Sequence, residues 1–192
     1  MKAVVISATL AALTGCASTA PPYNYKAEPD PRSSEFQVGP LDQISVNVWK
    51  NRDMSADVTV RPDGIVTLPL IGDVKAAGRT PTELQKEITK RLGDFIKGEE
   101  LVVSVGVSVV NSYNFTIIGA VERSGFYQAK TYVTTVEAVA MAGGPNRFAG
   151  NYVYIVRGTP ARRIPIDLRR ATSSEHANEN LVVMRGDLLV LQ

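Results

Sequence analysis

The sequence predicts an α+β protein of two small domains, on three observations. Capping boxes open two helical stretches, Thr80-Pro81-Thr82-Glu83 and Thr134-Thr135-Val136-Glu137. Short segments with an apolar residue at every second position surround both. The 192 residues, 44% hydrophobic and 21% charged, suit one large domain or two of roughly 80 residues each. That composition excludes disorder throughout and a polytopic membrane protein.

The first domain is expected over residues 35–111. Ile44, Val46 and Val48 alternate with Ser45, Asn47 and Trp49, the pattern of a half-buried strand. Val58, Thr59 and Val60 continue as extended chain. Pro62-Asp63-Gly64 makes a turn, because Pro presets φ and Gly accepts a positive one. Residues 65–68 are then expected to return as the second strand of that hairpin, ended or bent by Pro69 and Gly72. From Thr80, with Pro81 at the first helical position, Leu84, Ile88, Leu92 and Phe95 fall on one helix face with Ile96 beside them. Lys86, Lys90, Arg91 and Lys97 crowd the later turns, where the helix dipole favours cations, and Gly98 is the expected stop. Leu101, Val103, Val105, Val107 and Val109 alternate with Val102, Ser104, Gly106 and Ser108 in the clearest strand of the chain. The Ser and Gly face meets either solvent or a closely packed neighbour.

The second domain is expected over residues 112–192. Residues 115–118 and 126–129 read as strands about the turn Glu122-Arg123-Ser124-Gly125, and the helix from Thr134 ends at Gly143-Gly144-Pro145. Residues 152–156, 162–168, 181–184 and 188–191 are four further strand candidates. Five or more short strands about one small helix indicate a β-grasp-like domain.

Composition narrows the function. With 21 basic and 19 acidic residues, no bulk charge draws the chain to nucleic acid. One cysteine permits no intramolecular disulfide, and one histidine leaves a Cys/His zinc site without ligands. A Ser-His or Cys-His nucleophile would have to use His176, in the polar stretch of residues 172–178 that reads as a surface loop. Gly143-Gly144 lacks the preceding strand and following Lys of a phosphate loop. Neither enzymatic activity nor a cofactor is expected.

The N-terminus reads as a signal. Lys2 precedes a largely apolar run over residues 3–13, far short of the about 20 residues a spanning helix needs. Leu13-Thr14-Gly15-Cys16 then resembles a bacterial lipobox, which implies a signal peptide over residues 1–15 and diacylglyceryl attachment at Cys16. Ala17 stands where an Asp tends to retain Gram-negative lipoproteins at the inner membrane, so the outer membrane is favoured. Cleavage would remove only Lys2 from the charged residues. Residues 16–34 are read as the lipidated Cys and a tether: Pro21, Pro22, Pro29 and Pro31 with few large aliphatic side chains bury no core. From residue 17 to 34, at about 3.1 Å per residue, it would reach about 56 Å.

Four stretches then resemble the outer-membrane polysaccharide export (OPX) family. Residues 36–49, opening Phe36-Gln37-Val38-Gly39-Pro40-Leu41-Asp42, are similar to the start of its polysaccharide export domain, with Leu41 where Gly is usual, so that turn is expected to differ. Residues 60–74, with Ala77-Gly78-Arg79-Thr80 and Glu83-Leu84, resemble its DG hairpin and helix. Ile118-Gly119-Ala120-Val121, Gly125-Phe126-Tyr127 and residues 138–144 are similar to the SLBB (soluble-ligand-binding β-grasp) domain. Ile164-Pro165-Ile166-Asp167-Leu168 and residues 185–190 resemble its closing strands. The resemblance implies a periplasmic ring of identical subunits, about eight by family analogy. An exopolysaccharide or capsule strand would pass through its lumen unaltered, and an inner-membrane polysaccharide co-polymerase would meet it from below. The alternatives are a monomeric envelope lipoprotein binding a small soluble ligand or cell-wall glycan through its SLBB domain, and a scaffold of an unrelated envelope machine.

Candidate contacts to polysaccharide or a partner are Arg61 and Asp63, otherwise a hairpin tip, and Arg157, Arg162 and Arg163, with Arg169 and Arg170, otherwise solvated strand edges. Tyr113, Tyr127, Tyr132, Tyr152 and Tyr154 are read as core or interface before sugar-stacking platforms. The sequence ends at Leu188-Leu189-Val190-Leu191-Gln192 without a spanning segment, so a separate outer-membrane β-barrel is expected to complete the channel.

Overall fold

The computed structural model describes residues 23–96 and 101–192. The signal residues 1–15, Cys16, Lys97 and the expected stop at Gly98 lie outside them. The described chain builds two α+β units, each on its own apolar core.

The first unit comprises β1 (Gln43–Val48), β2 (Ala56–Thr59), β3 (Ile65–Leu68), β4 (Gly72–Lys75), helix α1 (Pro81–Leu92) and β5 (Val103–Val109). A three-stranded antiparallel sheet has the order β2-β1-β5. Ile44, Val46 and Val48 alternate inward from β1, and Leu84, Ile88 and Leu92 of α1 close over the same core. Both halves of the Thr80–Glu83 capping box form.

Two expectations are corrected in this unit. The turn after β2 does not produce a β2–β3 hairpin. Gly64 N–H donates to Arg61 O at 2.8 Å and Arg61 N–H to Ile65 O at 2.9 Å, yet β2 pairs with β1 and β3 with β4. The chain changes sheets at Gly64, whose φ of +82° turns its carbonyl toward the N–H groups of Ala76 and Ala77. A Cβ there would press into that of Ala77. The helix also stops earlier than its apolar face. It is capped at Gly93, so Ile96 still packs on the core while Phe95 is 59% exposed.

The second unit comprises β6 (Asn114–Gly119), β7 (Gly125–Gln128), α2 (Thr135–Met141), β8 (Tyr152–Arg157), β9 (Arg162–Asp167), α3 (Leu168–Ala171) and β10 (Leu188–Leu191). Its sheet runs β7-β6-β10-β8-β9, with β6 and β10 parallel at the centre and every other pair antiparallel. Numbered within the unit, that is strand order 2-1-5-3-4, the β-grasp arrangement. Phe115, Ile117, Ile155, Ile164, Ile166 and Leu189 fill the face against which Ala138, Val139 and Ala142 pack. Residues 181–184 make no strand, only an isolated bridge from Val182 to Thr134. The carbonyls of Val182 and Val183 instead accept from the Arg157 guanidinium and the Tyr113 hydroxyl, each bond satisfying a buried group outside any ladder. Part of the expected 172–178 loop is 3₁₀ helix, Ser174–Glu179.

The units meet at one carboxylate. Asp42 is fully buried and accepts from Gly39 N–H, Asn111 N–H, Ser112 N–H and the Ser112 hydroxyl, all at 2.7 Å. It thereby ties the loop before β1 to the segment where the chain passes into the second unit. Gly39 is needed for close approach, since a Cβ there would meet the Arg185 guanidinium and the Ser112 side chain. Leu41 adopts φ +71° and holds Val60 O through its N–H at 2.8 Å, with its side chain 54% exposed.

Asp42→Ala should strand three buried donors and cost about 3–5 kcal/mol, measured by denaturant unfolding. Leu41→Gly should do the reverse. Relief of a left-handed Leu, worth about 1–2 kcal/mol, exceeds the entropic cost of glycine, about 0.5–1 kcal/mol. A rise of about 2 °C in Tm is expected by calorimetry.

Candidate functional site

The segment expected to be a free tether is docked. From Tyr23 onward it lies on the second unit: Tyr23 and Tyr25 pack on its core, and the Tyr25 hydroxyl donates to Pro165 O at 2.7 Å. Glu28 reaches a buried cluster. Its carboxylate accepts from Arg157 Nη1 at 3.2 Å and Arg162 Nη1 at 3.0 Å, with the Tyr23 hydroxyl as a third donor. Arg157 also forks onto Asp187, Nε to Oδ1 at 3.0 Å and Nη2 to Oδ2 at 2.7 Å, and donates to Val182 O at 2.8 Å. The strap continues past a 3₁₀ turn capped by Asp30 to the first unit. There Glu35 accepts from the Thr82 N–H at 3.0 Å and its hydroxyl at 2.9 Å, at the start of α1. Arg185 of the second unit donates to Gln37 O at 2.8 Å. Residues 23–37 thus bind both units. Only residues 17–22 separate Cys16 from the strap, and at about 3.3–3.6 Å per residue their reach is close to 20 Å.

The cluster removes Arg157 from the candidate contacts: its side chain is 7% exposed and fully engaged. Arg162 keeps 58% of its side chain exposed while binding Glu28. Arg163 lies over the Tyr154 ring at 4.5 Å, a cation–π contact on the sheet face opposite the core. Arg170 pairs with Glu179, and Arg169 is exposed. Arg61 sits far away in sequence and in fold, paired with Asp63 and, at 3.4 Å, with Asp73 at an exposed tip. The five candidates therefore do not converge on one site; Arg162 and Arg163 alone share a surface strand, β9.

The tyrosines are mostly structural. Tyr113 is buried against Val183 O, Tyr127 stacks on Phe115 at 6.0 Å, and Tyr132 meets Tyr113 edge-on at 5.4 Å. Phe36, Val110, Tyr113, Lys130, Thr131 and Tyr132 line a cavity of about 200 Å³ at the junction of the units. At His176, Nδ1 lies 3.2 Å from Ser173 Oγ, but that hydroxyl donates to Arg170 O at 2.8 Å. Among the described residues no helix is long and apolar enough to cross a membrane, and no group of three His, Cys, Asp or Glu side chains could hold a metal.

Sequence reading missed the partners that matter most. Glu28 and Asp187 meet Arg157 across 129 and 30 residues, a pairing no local pattern announces. Burial opposes ionisation of Glu28, but the Tyr23 hydroxyl and the Arg162 and Arg157 guanidinium groups outweigh it and hold its carboxyl below the usual range. Its contribution is thus present above the unfolded carboxyl range, about 4.3, and lost as pH falls through the lower folded value. Corrected for the intrinsic rate at each pH, amide exchange of residues 23–34 should quicken below about pH 4. Glu28→Gln should quicken it at pH 7 at least tenfold, about 1.4 kcal/mol of local opening, with the rest of the chain unchanged.

With the geometry in hand, comparison with known proteins becomes specific. A family model described as polysaccharide biosynthesis/export protein matches residues 30–108, from within the strap to Ser108 of β5. Exopolysaccharide production protein ExoF of Rhizobium meliloti (strain 1021) is 30% identical over 138 residues, 64% of this chain and 32% of ExoF. Polysialic acid transport protein KpsD of Escherichia coli is 27% identical over 132 residues, 67% of this chain and 23% of KpsD. Capsule polysaccharide export outer membrane protein CtrA of Neisseria meningitidis serogroup A is 26% identical over 144 residues, 70% of this chain and 33% of CtrA. The chain spans a third or less of the length of these curated relatives. The matched region includes the Asp42 loop, the Gly64 turn and α1, and over it the chain is similar to outer-membrane polysaccharide export proteins.

Proposed function

We propose that this protein is a periplasmic ring component of an exopolysaccharide or capsule export channel at the outer membrane, held there by acyl chains on Cys16. The observation that carries the reading is the family match over residues 30–108, supported by relatives named for exopolysaccharide production, polysialic acid transport and capsule export. The polymer passes through the lumen with no bond made or broken, and an inner-membrane co-polymerase meets the ring from the periplasm. The domains are assigned as polysaccharide export over residues 35–111 and SLBB over residues 112–192. In this arrangement Asp42 and the strap tie the two domains of each subunit together. Exposed Arg162 and Arg163, and the Arg61–Asp63 tip, are the side chains left to face polymer or partner. A second reading, a monomeric binder of a small glycan, has one observation in its favour, the aromatic cavity formed by Phe36, Tyr113 and Tyr132.

Deleting the gene should abolish surface polysaccharide, and the wild-type gene should restore it. Cys16→Ser should block acyl labelling, leave the protein unanchored and fail to restore export. Native mass spectrometry of the lipidated protein should show a ring; monomers alone across a range of concentrations, with binding of a defined glycan, would favour the second reading.

A further inference from the structure

Among the described residues the longest outer strand, β5, is also the least protected. Trp49 N–H donates to Val102 O, and the β1–β5 register sets Ser104 and Gly106 in the same bonding phase. By alternation, Val103, Val105 and Val107 turn their N–H and C=O groups to the other side of β5. Among the described residues no strand pairs there. Gln85 Nε2 covers Val103 O at 2.7 Å, which leaves Val105 and Val107 as the open stretch. Among the described residues the other outer strands are short or blunted: β3 is four residues long. β9 has Pro165, its carbonyl taken by Tyr25, and carries Arg162 and Arg163. β2 carries Asp57, β4 carries Asp73 and Lys75, and β7 is four residues long. β5 has neither charge nor proline over seven residues.

We propose that this edge is a self-docking surface, where a second copy of the chain pairs antiparallel about Gly106. The occupant follows from the residue order. Val103-Ser104-Val105-Gly106-Val107-Ser108-Val109 reads the same in both directions. A two-fold axis at Gly106 sets Val105 against the partner's Val107, and Val107 against the partner's Val105. These are the residues with outward backbone groups, so both pairs exchange two hydrogen bonds. Gly106 meets its own copy at a non-hydrogen-bonded position, where Cα atoms come within about 4.5 Å. The ladder with β1 shifts register beyond Val107, so the regular pairing runs from Val105 to Val107 of each copy, and no like charges are brought together. Nothing lies within 4 Å of where a Gly106 Cβ would be, so a side chain placed there has room within the protomer. The product is a continuous six-stranded sheet. The contact is isologous, whereas ring subunits meet head to tail, so it goes beyond the ring reading and stands without it.

The test uses the full-length chain in detergent. Gly106→Cys should give a disulfide-linked dimer as the main species under mild oxidation, at least fivefold above the wild-type chain, whose one cysteine is Cys16, and above Thr67→Cys on exposed β3. Gly106→Glu, which sets two carboxylates face to face and has free space in the protomer, should weaken two-fold association at least tenfold by sedimentation with an unchanged circular dichroism spectrum. Cross-linking at Gly106 no greater than at Thr67, or unaltered association of Gly106→Glu, overturns the proposal. Failure of the ring alone reads differently: native mass shows dimers and no larger species, with the Gly106 cross-link intact.

Discussion

The buried Asp42 carboxylate is the interaction on which the two-domain arrangement depends. Four donors from three residues converge on it, and two of those residues, Asn111 and Ser112, lie where the chain leaves β5. A carboxylate is suited to this place because it only accepts and has about four lone-pair directions, whereas an amide would point donors at donors. The same hub explains neighbouring residues. Gly39 is small because Arg185 and Ser112 close over it, and Leu41 bears a left-handed backbone because the loop must bring Asp42 inward while its own N–H holds Val60. The start of the family motif is thus the mechanical joint between the domains.

The second joint is the strap. A segment rich in proline and poor in aliphatic residues has little reason to fold by itself, and it is ordered here by side-chain contacts to preformed surfaces. Tyr23 and Tyr25 bury ring area, while Glu28 supplies a charge to Arg157, which Asp187 alone would hold at one side of its guanidinium. Buried ion pairs are costly to desolvate, but breaking one leaves a charge stranded, so such a cluster specifies geometry more than it adds stability. For the channel subunit proposed above that distinction matters. Pull exerted through an anchor at residue 16 would reach both domains through residues 23–37 instead of dissipating in a long free tether.

Local signals in the sequence were read correctly where neighbouring residues decide the outcome. Both capping boxes form, because their donors and acceptors are three residues apart. The β1 and β5 alternations appear as strands, and Leu84, Ile88 and Leu92 are buried as their spacing requires. The errors fall where a distant partner intervenes. The Gly64 turn is real, but the β1 edge captured β2 and β4 captured β3. Residues 181–184 have strand composition, yet their carbonyls serve Arg157 and Tyr113. Arg157 looked like a surface cation in a basic run, and its exposure was decided by carboxylates 30 and 129 residues away.

By itself, then, the sequence determined the α+β class, two helices with their caps, most strands, and the order of motifs that resembles export proteins. These rest on periodicity and turn chemistry, which act within a few residues. Only the tertiary structure decided which strands pair, that residues 23–34 are docked, and that Arg157 is structural while Arg162 and Arg163 remain at the surface. Those outcomes are choices among competing long-range partners, each settled by which buried donor, acceptor or charge would otherwise go unpaired. A chain read one window at a time does not contain that comparison.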